Sequence, residues 1–327
     1  MFHRVWLTAA LAILAAVAIT GGQGRPSSPV PPAAVPAGAS RLYAVGDIME
    51  CERPERAEAV GQLLSRQLNE FPNTIGLTLG DNSQDDGSAE AYECLNQSVW
   101  SGLRPRLFPV AGNHDYLEAE ATGTVPHMFL WFLNTGPVDE GYYAFDYGEN
   151  WRVIALNSEL TQRTAFGFTP RARKMLDWLN RELKIHSNTK CIVAYMHRPP
   201  FSSGAHASPL YVDRIFSVLY KYGADLLLTG HEHFFGVFPP LDPDGRQDPK
   251  GVPTLIAGTG GGRSFPKPLG SRYGDWVVSD RLGILRLDLG KAKYDWKFLP
   301  VEPTAVDYEG TGRCHDNPSG YESLRWD

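Results

Sequence analysis

An excess of basic charge is the first thing the sequence lacks. Its 327 residues carry 31 Lys and Arg against 37 Asp and Glu, a formal net charge of −6. A nucleic-acid binder normally shows a basic patch or stripe, so no nucleic-acid partner is expected. A membrane-spanning run is lacking too. The apolar stretch from Val5 to Ile19 is shorter than the roughly 20 residues a spanning helix needs. No repeat at a solenoid period is visible. Cysteine is sparse, with only Cys51, Cys94, Cys191 and Cys314. Four cysteines allow three pairings, and the residues alone leave all three open. Hydrophobic residues at 43% and charged residues at 21% are ordinary for a globular chain. The length suffices for one large core or two small ones.

The apolar stretch follows a basic start at Arg4 and is itself followed by small residues. Residues 1–24 therefore read as a secretory signal peptide, with an uncleaved anchor as the alternative. After cleavage no membrane association is expected. The mature chain is expected to be secreted or periplasmic, where disulfides persist. Residues 25–40, RPSSPVPPAAVPAGAS, are too poor in large apolar groups to build a core and read as an extended linker.

From residue 41 strand-like and helix-like stretches alternate. RLYAV, TIGLTLG, LRPRLFPVAG, CIVAYMH and ADLLLTGH are strand candidates. YYAFDYG and WRVIALNS read as a hairpin around Gly148–Asn150. RPERAEAVGQLLSRQLNEF has Ala57, Val60, Leu64 and Leu68 at helical spacing. TPRARKMLDWLNRELKIH has Thr169 as N-cap, Pro170 in the first turn and Met175, Leu176, Leu179 and Leu183 on one face. SPLYVDRIFSVLYKYG is a further helix. This alternation predicts an α/β fold with a partly parallel sheet. The β-rich stretches PTLIAGTGGG, GILRLDL and YDWKFLPV predict a second sheet rather than a second domain. The domain is expected over 41–301, with a tail over 302–327.

Several strand candidates end in a polar group able to bind metal. YAVGD ends at Asp47, LTLGDN at Asp81, and FPVAGNHD at Asn113, His114 and Asp115. CIVAYMH ends at His197, and LLLTGHEH at His231 and His233. Taken singly, each is an ordinary turn or polar cap. Together they matter, because sites in open α/β sheets form outside the carboxyl ends of the strands. Imidazoles, carboxylates and an amide oxygen suit Zn, Fe or Mn. The set is too large for one tetrahedral ion and suits two ions about 3.5–4 Å apart. Tyr116, Trp131, Phe201, Phe234 and Phe235 lie near these motifs in sequence and read as core, with a pocket lining as the alternative.

The order GD…GDN…GNHD…MH…GHEH resembles the calcineurin-like metallophosphoesterase superfamily, over residues 41–301. GYYAFDYG, ALNSE, HRPPFSSGAH and GTGGG resemble its purple-acid-phosphatase-like branch and related secreted bacterial phosphatases. The resemblance implies a four-layered α/β/β/α sandwich of two mixed sheets. It implies that Asp47 and His233 hold a first metal ion, Asp81 bridges, and Asn113, His197 and His231 hold a second. The implied reaction is hydrolysis of a small phosphomonoester by a metal-bridging hydroxide. His114, beside Asp115, is the implied acid for the leaving oxygen. His206 matches a substrate-contacting histidine of the family, with a solvated loop residue as the alternative. The alternative functions are a phosphodiesterase on nucleotides or lipid headgroups, or a non-catalytic binder of phosphate or metal. Secreted relatives share the cysteine positions, which favours pairing Cys51 with Cys94 and Cys191 with Cys314.

The pattern departs from the family at two positions. The superfamily at large has a histidine two residues after the first Asp, where this chain has Met49. The purple branch has a tyrosine three residues after the bridging Asp, where this chain has Gln84. A thioether is a poor ligand for hard divalent ions, so Met49 reads as packing, and Gln84 reads at most as a weak amide ligand. No tyrosine phenolate is then available to bind iron. The iron-loaded protein is expected to lack an intense visible charge-transfer band. An absorption spectrum with such a band would contradict this reading.

Overall fold

The computed structural model describes residues 40–315, apart from 139, 162, 165–166, 207–209, 211, 264–267 and 269. The expected signal peptide, nearly all of the linker and the end of the tail lie outside the described residues. In chain order the strands begin with β1 (Arg41–Val45), β2 (Ile75–Leu79), β3 (Leu107–Val110), β4 (Tyr143–Tyr147) and β5 (Trp151–Ala155). A two-residue pair follows, β6 (Arg163–Thr164) and β7 (Gly167–Phe168), then β8 (Cys191–Met196), β9 (Leu226–Thr229) and β10 (Phe235–Leu241). The last are β11 (Val252–Ala257), β12 (Trp276–Val278), β13 (Gly283–Leu289), β14 (Lys293–Pro300) and β15 (Tyr308–Arg313). The α-helices are α1 (Pro54–Glu70), α2 (Ala89–Asn96), α3 (Trp100–Leu103), α4 (Leu117–Thr122), α5 (Met128–Trp131), α6 (Pro170–His186) and α7 (Asp213–Lys221).

Two mixed sheets face each other. The six-stranded sheet runs β15-β14-β13-β1-β2-β3, and the seven-stranded sheet runs β12-β10-β11-β9-β8-β5-β4. Strands β1, β2 and β3 are parallel, as are β5, β8, β9 and β11. Between the sheets lies one apolar layer, including Leu42, Leu77 and Leu79 from the first and Phe145, Val153, Tyr195 and Leu228 from the second. On the outer face of the first sheet, Tyr43 and Val45 cluster with Ala57, Val60, Leu64 and Leu68 of α1. On the outer face of the second, Ile192 and Ala194 cluster with Met175, Leu176, Leu179 and Leu183 of α6 and Ile215 and Leu219 of α7. These three apolar layers make a four-layered α/β/β/α sandwich.

Local chemistry sets the helix ends. Thr169 accepts from the Ala172 amide at 3.1 Å, and Pro170 opens α6 where no intrahelical amide is needed. The helix containing Asp213 begins later than its sequence pattern. It spans Asp213–Lys221, and residues 207–209 and 211 lie outside the described set.

The C-terminal strands correct one expectation. They do not form a sheet of their own. β13, β14 and β15 extend the sheet begun by β1, while β10, β11 and β12 extend the other. The domain also runs past residue 301, because β15 pairs with the outer edge of β14. β10 went unread because FGVFPPL contains Pro239 and Pro240. The short β12 pairs only with residues 235–237, so both prolines sit beyond it, where a missing donor costs no ladder bond on that side.

The two disulfides are Cys51–Cys94 and Cys191–Cys314. The second ties the chain after β15 to the start of β8. Beside it, Asp225 accepts from the Ile192 amide and from both the backbone and the ring of His315. The hydrogen bond to Asp225 raises the His315 pKa above its ordinary value, against the effect of burial. A histidine held charged stabilises the fold below its unfolded pKa and loses that contribution as pH rises through its folded pKa. We expect His315→Gln to lower the melting temperature more at about pH 5.5 than at about pH 9. Equal losses at both would contradict the pairing. Replacing Cys191 and Cys314 together by Ser should cost about 2–4 kcal/mol in urea unfolding, and an unchanged midpoint would show that β15 docks without the tether.

Candidate metal centre

The site forms where the parallel strands of both sheets end. Asp47 follows β1, Asp81 follows β2, and Asn113 and His114 follow β3. From the second sheet, His197 follows β8, and His231 and His233 follow β9. Backbone bonds join these ends. The Asp47 amide donates to Gly80 at 3.0 Å, the Ile48 amide to Asp81 at 2.9 Å, and the Gly230 amide to His197 at 3.0 Å. Among the described residues three non-glycine positions have positive φ, and all three are expected ligands: Asp47 at 61°, Asp81 at 47° and His231 at 69°. Such backbone is costly and persists where the surroundings over-determine it, often at functional sites. Gly112 is required by close approach, since a Cβ there would lie 2.2 Å from Asp81 Oδ1.

Two imidazoles carry the argument for a cation. His197 is fully buried, and its Nδ1 lies 2.9 Å from the Leu79 carbonyl oxygen. A carbonyl can only accept, so Nδ1 carries the proton and Nε2 presents its lone pair inward. Around that lone pair stand two acceptors, Asn113 Oδ1 at 3.2 Å and Asp81 Oδ2 at 3.3 Å, and the ring of His231, whose Nδ1 lies 3.1 Å away. His233 repeats the arrangement. Its Nδ1 donates to the Arg263 carbonyl, and its Nε2 faces Asp47 Oδ1 at 3.3 Å. A metal-ligating histidine characteristically donates its other ring nitrogen to a carbonyl or carboxylate in this way. Acceptors facing acceptors in a buried space are satisfied by a cation, so these residues fit metal ions. The electrostatics show the same demand for positive charge, which in the metal-free ring a proton on Nε2 meets. Burial opposes charge on His197, yet the Asp81 carboxylate outweighs it and pushes the pKa up to about 10. Burial likewise opposes charge on His233, and Asp47 raises it. His231 moves down, through burial and its neighbours His197 and Arg198.

The other expected residues divide. The His114 amide donates to Asp81 Oδ1 at 2.8 Å, and its ring Nδ1 bonds the Asp85 carbonyl at 2.8 Å. Its Nε2 is therefore the ring's remaining open nitrogen. Gln84 reaches Asp47, but through its amide nitrogen: Nε2 donates to Asp47 Oδ1 at 3.3 Å and to the Asp81 carbonyl at 3.4 Å, so it is the nitrogen and not the ligating oxygen that faces the carboxylate. Met49 is fully buried in the apolar cluster under α1. The ring centroid of His206 lies 4.9 Å from that of His231. Asp115, expected beside His114 as a catalytic residue, has its carboxylate held by other groups. Its carboxylate accepts from Gly112, from the Asn82 backbone and side chain, from the Ser83 amide and from Tyr92 Oη. It is fully buried, and its bonds to the Asn82, Ser83 and Gly112 amides join two of the motif loops. Burial, with the Asp81 charge, pushes its pKa up to about 6. The aromatic residues Tyr116, Trp131, Phe234 and Phe235 lie in the apolar clusters. Phe201 packs against one of them.

The sequence profile of the calcineurin-like phosphoesterase family matches residues 40–235. The chain belongs to the calcineurin-like phosphoesterase family. Metal-dependent hydrolysis of phosphoric esters, typically at two metal ions, is that family's chemistry. A 3',5'-cyclic-nucleotide phosphodiesterase of Nostoc sp. is 32% identical over 179 residues, 51% of this chain and 59% of the relative. The chain thus spans under two thirds of that relative's length. A probable cyclic nucleotide phosphodiesterase of Moraxella catarrhalis is 28% identical over 214 residues, 62% of this chain and 72% of the relative. A purple acid phosphatase structure from yellow lupin superposes with a TM-score of 0.66 at 16% identity, covering 91% of this chain and 59% of that one. This likeness shows the metallo-dependent phosphatase fold.

Some residues beside these groups are not singled out by the sequence alone. Arg198 Nε is held by both oxygens of Glu159 at 3.0 Å, and its Nη1 lies 3.2 Å from His231 Nε2. Ser158 donates to Glu159 and accepts from the Arg198 amide. Arg198 directly follows His197, inside the HRPPF motif, which was the available signal. Glu159 lies in the ALNSE stretch. Gly112→Ala tests how tightly the ligand loops meet. We expect a loss of about 1–3 kcal/mol and less metal per chain by elemental analysis. Full metal content with an unchanged melting temperature would contradict the close approach at Asp81.

Proposed function

We propose that the protein is a binuclear-metal phosphoesterase that hydrolyses phosphomonoesters. Asp47 and His233 would hold one ion, Asn113, His197 and His231 the other, and Asp81 would bridge. The carrying observation is the pair of imidazoles, His197 and His233, each tied through Nδ1 to a backbone carbonyl with Nε2 turned to a carboxylate. The chemistry the bound ions supply is polarisation of the phosphoryl oxygens and a water made acidic near neutral pH. The chain's own residues do the rest. Carbonyl bonds to Nδ1 keep both imidazoles in the ligating tautomer. His114, whose Nδ1 bonds the Asp85 carbonyl, would donate a proton from Nε2 to the leaving oxygen. Arg198, anchored on Glu159, faces the His231 side of the site, where it can meet a phosphoryl oxygen.

His114, His206 and Arg198 each lie beside an expected ligand, and N–H groups on their side chains would suit the doubly charged phosphoryl group of a monoester. A second reading is hydrolysis of a cyclic phosphodiester, favoured by the names of the two cyclic-nucleotide phosphodiesterase relatives. Both readings involve a small phosphoester substrate. We also propose that the mature protein works outside the cytoplasm. The two disulfides support this. Among the described residues no helix is long and apolar enough to cross a membrane.

The test is metal analysis with a panel of monoesters and cyclic diesters. We expect two metal ions per chain and a monoester preference. Asp81→Ala should lose both metal and activity. His114→Ala should keep metal and lose about 100- to 10,000-fold in turnover. Turnover that survives complete chelation would exclude the proposal.

A further inference from the structure

We propose that Glu232 is a positioning residue that latches the loop of residues 202–206 and holds His206 over the His231 side of the site. The inference rests on the phosphoesterase reading and deepens it.

Glu232 sits between the two expected ligands of the GHEH motif, yet its side chain turns to a different loop. It is fully buried. Burying a carboxylate costs several kcal/mol unless it is paired or hydrogen-bonded. Among the described residues its side-chain partners come from one short segment. Oε1 accepts from Ser202 Oγ and, at 3.1 Å, from the His206 amide. Oε2 lies 3.6 Å from His206 Nδ1, within ion-pair distance. Ser202 Oγ in turn accepts from the Gly204 amide at 2.8 Å, which folds the loop on itself. The approach is close enough to demand glycine, since a Cβ at position 204 would stand 2.3 Å from Oε2.

One carboxylate therefore grips the backbone and faces the ring of His206. That ring lies 4.9 Å from the ring of His231 and 6.4 Å from that of His233. A carboxylate against Nδ1 turns Nε2 away from Glu232, the orientation in which an imidazole can reach a bound ligand. Fixing the loop beforehand also removes part of the ordering cost of binding. Because Glu232 is flanked by His231 and His233, the latch ties the substrate-facing loop to the loop that carries the ligands.

The experiment is a double-mutant cycle on the metal-loaded full chain, using Glu232→Gln, His206→Ala and the pair together. Three readouts are taken: metal ions per chain, the Kd of inorganic phosphate, and kcat and KM for a monoester. We expect Glu232→Gln to keep its metal and to raise KM and the phosphate Kd on the order of tenfold, with a smaller change in kcat. In the His206→Ala background the same substitution should add little. Ser202→Ala loosens the latch from its other end and should show the same dependence on His206, even if Glu232→Gln folds poorly. The inference is overturned if Glu232→Gln has its full effect without His206, or if it costs a metal ion. Phosphate binding separates this outcome from failure of the enzymatic reading. A cycle that holds for phosphate in a protein without turnover would remove the phosphoesterase and keep the latch.

Discussion

Lone pairs facing lone pairs are the constraint on which the rest of this structure depends. His197 and His233 each spend one ring nitrogen on a backbone carbonyl, so in the neutral, ligating ring the other offers electrons. What it meets is a carboxylate or an amide oxygen. In water such a group would scatter. Here it is held together by two sheets, and a cation is the partner that completes it. The layers, the strand order and the backbone bonds between strand ends all serve to keep electron-rich groups closer than they would choose to be.

That arrangement has a structural cost, and the cost is visible. Asp47, Asp81 and His231 all take left-handed backbone. The surrounding structure offsets it with bonds from Asp47 to Gly80, from Ile48 to Asp81 and from the His231 amide to Asp47 Oδ2. Behind them Asp115 gathers five hydrogen bonds from the Gly112, Asn82, Ser83 and Tyr92 groups, so the second and third motif loops share one buried anchor. Residues that touch nothing reactive thus decide where the reactive ones stand. Asp115 does so for the motif loops, and Glu159 does so for Arg198.

Much of this was legible beforehand, and the reasons differ by element. α1 and α6 were readable because one apolar face repeats at helical spacing and a proline or threonine marks the start. The strands feeding the site were readable because each is a short apolar run stopped by a polar group. β10 was not, because Pro239 and Pro240 disguise a strand whose edge is left open past the short β12. β15 was not, because YEGTGR has no apolar run and gains its order from pairing with β14. Asp115 looked like a partner of His114 because they are adjacent in sequence. Adjacent side chains at a turn point apart, and Asp115 turned inward.

The sequence by itself determined the ligand types, their order along the chain and the absence of a histidine at Met49 and a tyrosine at Gln84. Those are properties of residue identity and spacing, and they carry the chemistry of the site with them. Only the tertiary structure decided which strands share a sheet and which ring nitrogen each histidine turns inward. It also decided that Gln84 reaches Asp47 and that Glu232 reaches the loop of His206. The physical reason is range. Ligand type is written one residue at a time, whereas orientation depends on hydrogen bonds between segments dozens or hundreds of residues apart.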